Sequence, residues 1–289
     1  MTPYVIVLGT AQDGGSPQVN SPPDHPARLD PRLARRVACI GIVDPRSGNR
    51  WVIDATPDFR EQARDLAAAE PAAPVGKIDG IFLTHAHIGH YTGLMFLGHE
   101  SMGARGVPVY AMPRMKSFLE TNGPWDLLVK RGNIELRALS AGEPVMLADD
   151  LRVTPILVPH RQEYSEVVGF RIEGPDRSLL YIPDIDSWEE WDAMGVRIED
   201  QIAAVDVALL DGTFFADGEI PGRNMRGFPH PFITRSMERF APLPASEKAK
   251  IRFTHLNHTN PAQWEDSAER GAVEAAGFAV SKDGAEIEL

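Results

Sequence analysis

Six of the nine histidines in this chain directly follow short apolar runs that have the composition of β-strands. GIFLT precedes the first three, TPILVP precedes one, and KIRFT precedes two, while an aspartate follows SLLYIP in the same way. The residues at these run ends are His85, His87, His90, His160, His255, His258 and Asp184. Because strand ends bring distant parts of an α/β chain to one sheet edge, we expect these side chains to share one site.

The densest group lies in LTHAHIGHYTGL, where His85, His87 and His90 fall within six positions. In an extended segment, residues i and i+2 point the same way, so His85 and His87 can reach one ion. His90 follows where the chain turns towards a helix, and it can serve a neighbouring position. A lone histidine would more simply be a hydrogen-bonded loop residue, but three at one strand end predict a metal site.

The remaining strand-end residues leave alternatives open. His160 is predicted to be a ligand because it accompanies the first group. Asp184 directly follows its strand and is the preferred ligand. Asp186 competes with it but could instead be the N-cap of the next helix. His255 is the better-placed ligand of its pair, whereas His258 is predicted to be a ligand, a proton donor or a turn residue.

The long polar segment 212–230 is predicted to be a lid or binding loop. His230 within it is a candidate acid or substrate contact. Asp54 and Asp211, each at a strand end, are predicted either to hold a ligand histidine or to cap the strand. The phenylalanines of this region either line a substrate pocket or anchor the loop to the core; they are Phe214, Phe215, Phe228 and Phe232.

Composition narrows the class of protein and of site. The single cysteine, Cys39, excludes an intramolecular disulfide and a cysteine-built zinc site, and we predict it to be a buried hydrophobe. Imidazole and carboxylate donors suit zinc, iron or manganese. A net charge of −12 disfavours nucleic acid as a partner. No apolar run is long enough to span a membrane, and the N-terminus lacks the basic region of a signal peptide, so a cytoplasmic location is predicted.

The pattern of elements predicts one α/β domain over residues 1–289 that contains two blocks of mixed strands, with no linker or repeat. We predict early strands at 4–9, 37–43, 50–55 and 80–84. Helices are predicted at 56–70, at 92–103 and from Asn260 onwards. FAVSKDGAEIEL, with its Asp-Gly turn, predicts a hairpin at residues 278–289.

The residues at the run ends, in this order, resemble the metallo-β-lactamase superfamily over nearly the whole chain. Three stretches are similar to the B-protein branch of pyrroloquinoline quinone (PQQ) biosynthesis: VLGTAQDGGSPQ, DGTFFADGE and THLNHTNP. LGT and YIPDID also resemble the ribonuclease Z and phosphodiesterase branch. The resemblance implies a four-layered αββα sandwich whose metal site lies at one edge between two sheets.

The resemblance also implies how the ligands divide between two ions. Site one would hold His85, His87 and His160, with Asp184 as a bridge. Site two would hold His90, His255 and the same aspartate.

The chain departs from these relatives in two ways. Gly89 stands where most of them have an aspartate, which would leave site two short of a carboxylate, so Gly89→Asp is expected to raise its occupancy. The chain also lacks the cysteine knuckle of the PQQ type but has His85, His87 and Asp184, which that type lacks.

The leading hypothesis is therefore hydrolysis of a small ester, lactone, amide or phosphodiester by metal-activated water. One or two divalent ions are expected, zinc first, with iron or manganese as alternatives. Asp184 would orient the nucleophile, and His258 or His230 would protonate the leaving group. The alternatives are a mononuclear iron oxygenase of the PQQ-B type and a non-catalytic binding protein on the same scaffold.

Overall fold

The computed structural model describes residues 1–69, 74 and 76–289, and within them the strands form two seven-stranded sheets. The first sheet has the order β14-β1-β2-β3-β4-β5-β6, and the second has the order β13-β12-β11-β10-β9-β8-β7. The strands are β1 Tyr4–Gly9, β2 Cys39–Asp44, β3 Asn49–Ile53, β4 Gly80–Phe82, β5 Val107–Ala111, β6 Ile134–Ala138, β7 Val145–Ala148, β8 Leu151–Leu157, β9 Val168–Glu173, β10 Ser178–Ile182, β11 Val207–Asp211, β12 Ile251–Thr254, β13 Ala279–Val280 and β14 Glu286–Glu288.

Both faces of each sheet are buried, as strand β1 illustrates. Ile6 and Leu8 pack on its outer face against helix residues such as Leu66, whereas Val5 and Val7 point to the space between the sheets. Because side chains alternate along a strand, a continuous apolar run such as YVIVLG satisfies two cores at once.

Helices cover the outer faces, so the order of layers is helix, sheet, sheet, helix. The α-helices are α1 Pro26–Leu29, α2 Phe59–Ala69, α3 Ile88–Tyr91, α4 Pro113–Thr121, α5 Trp125–Lys130, α6 Trp188–Ala193, α7 Ile198–Ala203, α8 Ile233–Phe240, α9 Ala245–Lys248 and α10 Ala268–Ala275. Side chains of α2, α4 and α5 pack on the first sheet, and those of α6, α7, α8 and α10 pack on the second. The predicted αββα architecture is confirmed.

Most predicted elements are found, and Cys39 is fully buried as expected. The predicted C-terminal hairpin is wrong, because β13 pairs with β12 in the second sheet and β14 pairs with β1 in the first. The intervening Asp-Gly turn hydrogen-bonds to Val7 of β1 instead of closing on itself.

Two predicted helices are also shorter than expected. The one predicted at 92–103 is a 3₁₀ helix, Thr92–Leu97, and the one predicted from Asn260 is a 3₁₀ turn, Pro261–Gln263. The helix predicted at 56–70 begins at Phe59 and runs to Ala69, and Glu70 lies outside the described residues. None of the helices in the described ranges has the length and apolar character needed to cross a lipid bilayer.

Candidate metal centre

The strand-end side chains converge between the two sheets, at the carboxyl ends of β4, β8, β10 and β12. A first group contains His85, His87, His160 and Asp184. Nδ1 of His87 lies 2.9 Å from Nε2 of His85 and 3.2 Å from Nε2 of His160. The carboxylate of Asp184 lies 3.3 Å from Nε2 of His85 and 3.1 Å from Nε2 of His160. The four residues assigned to site one are thus brought together.

A second group contains His90, His255 and a residue that the sequence interpretation did not include, Asp13. Oδ1 of Asp13 lies 3.2 Å from Nε2 of His90 and 3.6 Å from Nε2 of His255. Oδ2 of Asp184 lies 3.8 and 3.9 Å from the same two nitrogens, so it stands between the groups. Asp13 follows β1 as the other candidate ligands follow their strands. This position after a strand is the feature of the sequence that could have identified Asp13 as a ligand.

This second group overturns the expectation that residue 89 leaves the site short of a carboxylate. A Cβ at Gly89 would lie 2.3 Å from Oδ1 of Asp13 and 2.7 Å from its Cα. Gly89→Asp would therefore collide with Asp13 rather than simply raise the occupancy of site two.

Each histidine of the two groups is held by its outer ring nitrogen. Four of them make this contact through Nδ1: His85 with Thr84 at 2.9 Å, His90 with Asp54 at 2.7 Å, His160 with Asp186 at 2.7 Å and His255 with Thr213 at 2.9 Å. His87 is reversed, with Nε2 lying 3.3 Å from Glu163. Oxygen partners of this kind fix the tautomer and ring orientation of metal-ligating histidines. Asp54 is thus placed as a partner of a ligand histidine.

The inward atoms have the spacing that a metal ion requires. Tetrahedral zinc with bonds of about 2.0–2.1 Å separates its ligand atoms by about 3.3–3.4 Å. Four buried atoms of the centre make no hydrogen bond to any described residue: Oδ1 of Asp13, Oδ1 of Asp184, Nε2 of His90 and Nε2 of His255. Buried polar atoms without partners are costly, so this donor set fits a bound cation.

A third set of polar residues supports the centre rather than opening a further ion site. Asp211 accepts hydrogen bonds from Thr213 and from the backbone of Ile185, and it lies 2.8 Å from Nδ1 of His230. Because both of its oxygens are engaged, we interpret Asp211 as a positioning residue. His230 lies 3.3 Å from Asp184 through the same Nδ1.

Negative charge dominates the electrostatics of the centre. Burial would raise the pKa of Asp184, but His160, His230 and His255 hold it well below its usual value. Burial lowers the pKa of His160, whereas Asp184 and Asp186 raise it, to about 9. In the metal-free protein Asp184 is therefore charged and His160 is protonated at neutral pH.

Backbone strain is concentrated at the second group. Asp54 and His255 have φ values of 70° and 60°, in the left-handed region that non-glycine residues seldom adopt. Such residues cost about 1–3 kcal/mol each and cluster at functional sites. Asp54 holds His90, and His255 supplies a donor atom, so both strained residues act at the same group.

The structure separates the alternatives considered for Asp186 and His258, and His258 lies in the turn after β12. Asp186 is not a helix cap, because Ser187 caps α6 while Asp186 holds His160. The ring of His258 lies against Ser21, 2.7 Å away through Nδ1, and near His25. It joins none of the donor groups found among the described residues, and its role as an acid stays a prediction.

The loop at 212–230 is anchored at both ends. Phe214, Phe232 and Met225 form a small buried cluster, which favours the anchoring interpretation of these phenylalanines. Thr259 donates a hydrogen bond to Glu219, which joins the loop to the turn after β12. A cavity of about 330 Å³ borders this loop, and His230 and Asp186 are among its lining residues.

The hydrogen bond between His160 and Asp186 allows a direct test of positioning. At pH 9, where protons compete least for His160, we expect Asp186→Asn to weaken zinc binding at the first group by about 10–100-fold, because the imidazole loses its charged partner. Zinc affinity measured by competition with a chromophoric chelator checks this, and the exposed Asp176→Asn provides a matched control. Equal affinities for the two variants would contradict the assigned role.

The sequence of this chain is similar to those of known proteins. A family model described as the Beta-lactamase superfamily domain matches residues 49–249. Coenzyme PQQ synthesis protein B from Methylorubrum populi is 30% identical over 319 residues, covering 99% of this chain and 100% of the relative. The protein of that name from Xanthomonas campestris pv. campestris strain B100 is 28% identical, with 99% of both chains covered.

Two solved structures give the same result for the fold. Zinc-bound PqqB from Methylobacterium extorquens matches with a TM-score of 0.78 at 25% identity, covering 99% of this chain and 100% of that one. A diphosphatase of the PhnP family matches with a TM-score of 0.70 at 23% identity, covering 100% and 98%. The second likeness concerns the fold alone.

Proposed function

The chain belongs to the β-lactamase superfamily, and we propose that it is a metal-dependent hydrolase that acts through metal-activated water. Its substrate is a small ester, lactone, amide or phosphodiester. The observation that carries this proposal is the convergence of His85, His87 and His160 on Asp184, with each outer histidine nitrogen already held by an oxygen atom.

Zinc is the ion that the donors suit best. Three imidazoles and one carboxylate are a ligand set that suits zinc, and neighbouring inward atoms of the first group lie 2.9–3.9 Å apart. The likeness to a zinc-bound relative supports the same choice. Asp184 lies between this group and the second one, which favours two ions rather than one.

The chemistry divides between the ions and the side chains of this chain. Divalent ions bound here would lower the pKa of water towards neutrality and polarise the scissile group. Asp184, held charged by the surrounding histidines, orients the nucleophile. His230 carries a proton on Nδ1 towards Asp211, and this contact fixes the ring at the edge of the cavity.

Proton donation to the leaving group is assigned to His230. Burial lowers its pKa, but Asp211 and Asp184 raise it above the usual value, which favours the protonated form at neutral pH. His230 also lines the cavity beside the centre, whereas His258 is engaged with Ser21. A protonated imidazole at the substrate cavity is what a general acid requires.

The cavity favours a small substrate. A volume of about 330 Å³ accommodates a metabolite-sized molecule. Its lining combines aromatic surface at Phe228 with the charged side chains of Arg235 and Glu190. The net charge of −12 disfavours a nucleic-acid chain as the substrate.

Metal analysis combined with a substrate panel tests the proposal. We expect protein purified without added metal to contain zinc, and to hydrolyse at least one activated ester, lactone, amide or phosphodiester at the same rate with and without oxygen. Inductively coupled plasma mass spectrometry and anaerobic assays provide the two measurements. Stoichiometric iron with oxygen-dependent turnover would overturn the hydrolase assignment.

That outcome would instead support the second candidate, an oxygenase related to the PQQ synthesis proteins. The full-length identity of 30% to one of those proteins is the observation that favours it. Against it stands the set of three histidines and one carboxylate in the first group, because non-haem iron oxygenases typically use two histidines and one carboxylate and keep open positions.

A further inference from the structure

We infer that Asp13 and Gly89 form a complementary pair, in which Asp13 supplies a carboxylate ligand to the second ion and Gly89 leaves the space that this carboxylate occupies. The inference rests on the proposed metal-dependent function and adds one ligand and one size requirement to it. It makes the second site a set of two histidines, Asp13 and the shared Asp184.

The backbone places Asp13 beside His255. Ala11 forms bridges with Val37 and with Leu256, and the amide of Gln12 donates to the carbonyl oxygen of Leu256 at 2.9 Å. Leu256 in turn donates to Thr10 at 2.8 Å. This parallel pairing holds the segment that leads into Asp13 against the segment that carries His255, and the two donor atoms lie 3.6 Å apart.

The side chain of Asp13 is aimed at the second group. Its Oδ1 is buried and makes no hydrogen bond to any described residue, although the side chain as a whole is 28% exposed. Nε2 of His90 and Nε2 of His255 are buried and lack hydrogen bonds in the same way. These three atoms lie within 4.8 Å of one another and together form a preorganised binding site for a cation.

Gly89 is explained by space and not by backbone conformation. It lies in the helical turn α3, and it is not among the described glycines that have a positive φ. A Cβ there would meet Oδ1, Cγ and Cα of Asp13 at 2.3, 2.7 and 2.7 Å, far inside the usual contact distance of about 3.5–4.0 Å. A side chain at residue 89 and the aspartate at residue 13 thus exclude each other.

The test either removes the carboxylate of Asp13 or fills the space that Gly89 leaves for it. We expect zinc-loaded, gel-filtered wild-type protein to hold two ions per chain. Asp13→Ala, Asp13→Asn and Gly89→Asp should each hold one, with affinity for the second ion lowered by about 100-fold or more. Zinc content by mass spectrometry and chelator competition are the measurements, and exchange coupling between two Mn²⁺ ions in electron paramagnetic resonance is a second readout.

The controls separate this inference from the proposed function. Asp24→Ala removes an exposed carboxylate from the same segment and should keep both ions, and Asp13→Asn keeps the side-chain shape if the alanine variant misfolds. Two ions with unchanged affinity in both Asp13 single variants would overturn the inference alone. A wild type that binds only one ion would also overturn it. A wild type without zinc would overturn the proposed function itself.

Discussion

Asp184→Asn should abolish stable metal binding at both groups and lower kcat/KM for the hydrolysed substrate by on the order of 10³-fold or more, about 4 kcal/mol in transition-state free energy. Asp184 is buried, and its two oxygens face Nε2 atoms of histidines from both groups. Asparagine keeps the shape but removes the only carboxylate that the two groups share. The metal content and the activity should therefore fall together.

Asp200→Asn is the matched control. Asp200 is exposed on α7, the helix that packs against the second sheet, and its substitution should leave metal content and activity unchanged. Circular dichroism of the metal-free variant separates loss of metal from loss of fold. A folded Asp184→Asn protein that keeps two zinc ions would contradict the bridging position, and one that keeps a single ion would assign Asp184 to one group only.

The difference between Asp184 and Asp13 shows which parts of the centre a sequence can reveal. His85, His87, His160, Asp184 and His255 follow clear apolar runs, and parallel strands bring such ends to one edge, so their convergence could be predicted. The alternation of elements predicts only one α/β domain with two blocks of mixed strands, and the αββα layers follow from the family resemblance. Asp13 obeys the same rule after β1, but the glycines beside it suggested only a turn.

The link between Asp13 and Gly89 could not be predicted from either residue. In the sequence, the absence of an aspartate at residue 89 looks like the loss of a metal ligand. In the fold, the carboxylate of Asp13 occupies the space next to Gly89 where a side chain would lie. Side-chain direction is a second limit. Asp186 and His258 lie at equally plausible positions in the sequence, yet one holds His160 and the other lies against Ser21.

The prediction of a C-terminal hairpin was wrong because it considered only local sequence. The Asp-Gly turn favours a hairpin locally. Residues 286–288 nevertheless pair with β1, and residues 279–280 pair with β12. Pairing with these long-range partners gave each short strand a place in a buried sheet, which a two-stranded hairpin alone does not provide.

Zinc affinity of the first group should rise with pH and level off near pH 9. In the metal-free protein Asp184 and Asp186 raise the pKa of His160 to about 9, so below that pH its imidazole must lose a proton before it can bind metal. Each unit of decrease in pH then costs about tenfold in apparent affinity for one displaced proton, or about 100-fold between pH 9 and pH 7. Chelator competition across this range measures the slope.

Asp186→Asn is the informative variant, because it removes one of the charges that hold the proton on His160. The pKa of His160 should fall, and the plateau of zinc affinity should begin at a lower pH even though affinity at the plateau is weaker. Calorimetry in buffers of different ionisation enthalpy counts the released protons, and the variant should release fewer than the wild type at pH 7. An affinity that does not change between pH 7 and pH 9 in the wild type would show that His160 is neutral before metal binds, and that Asp184 is balanced by another cationic group.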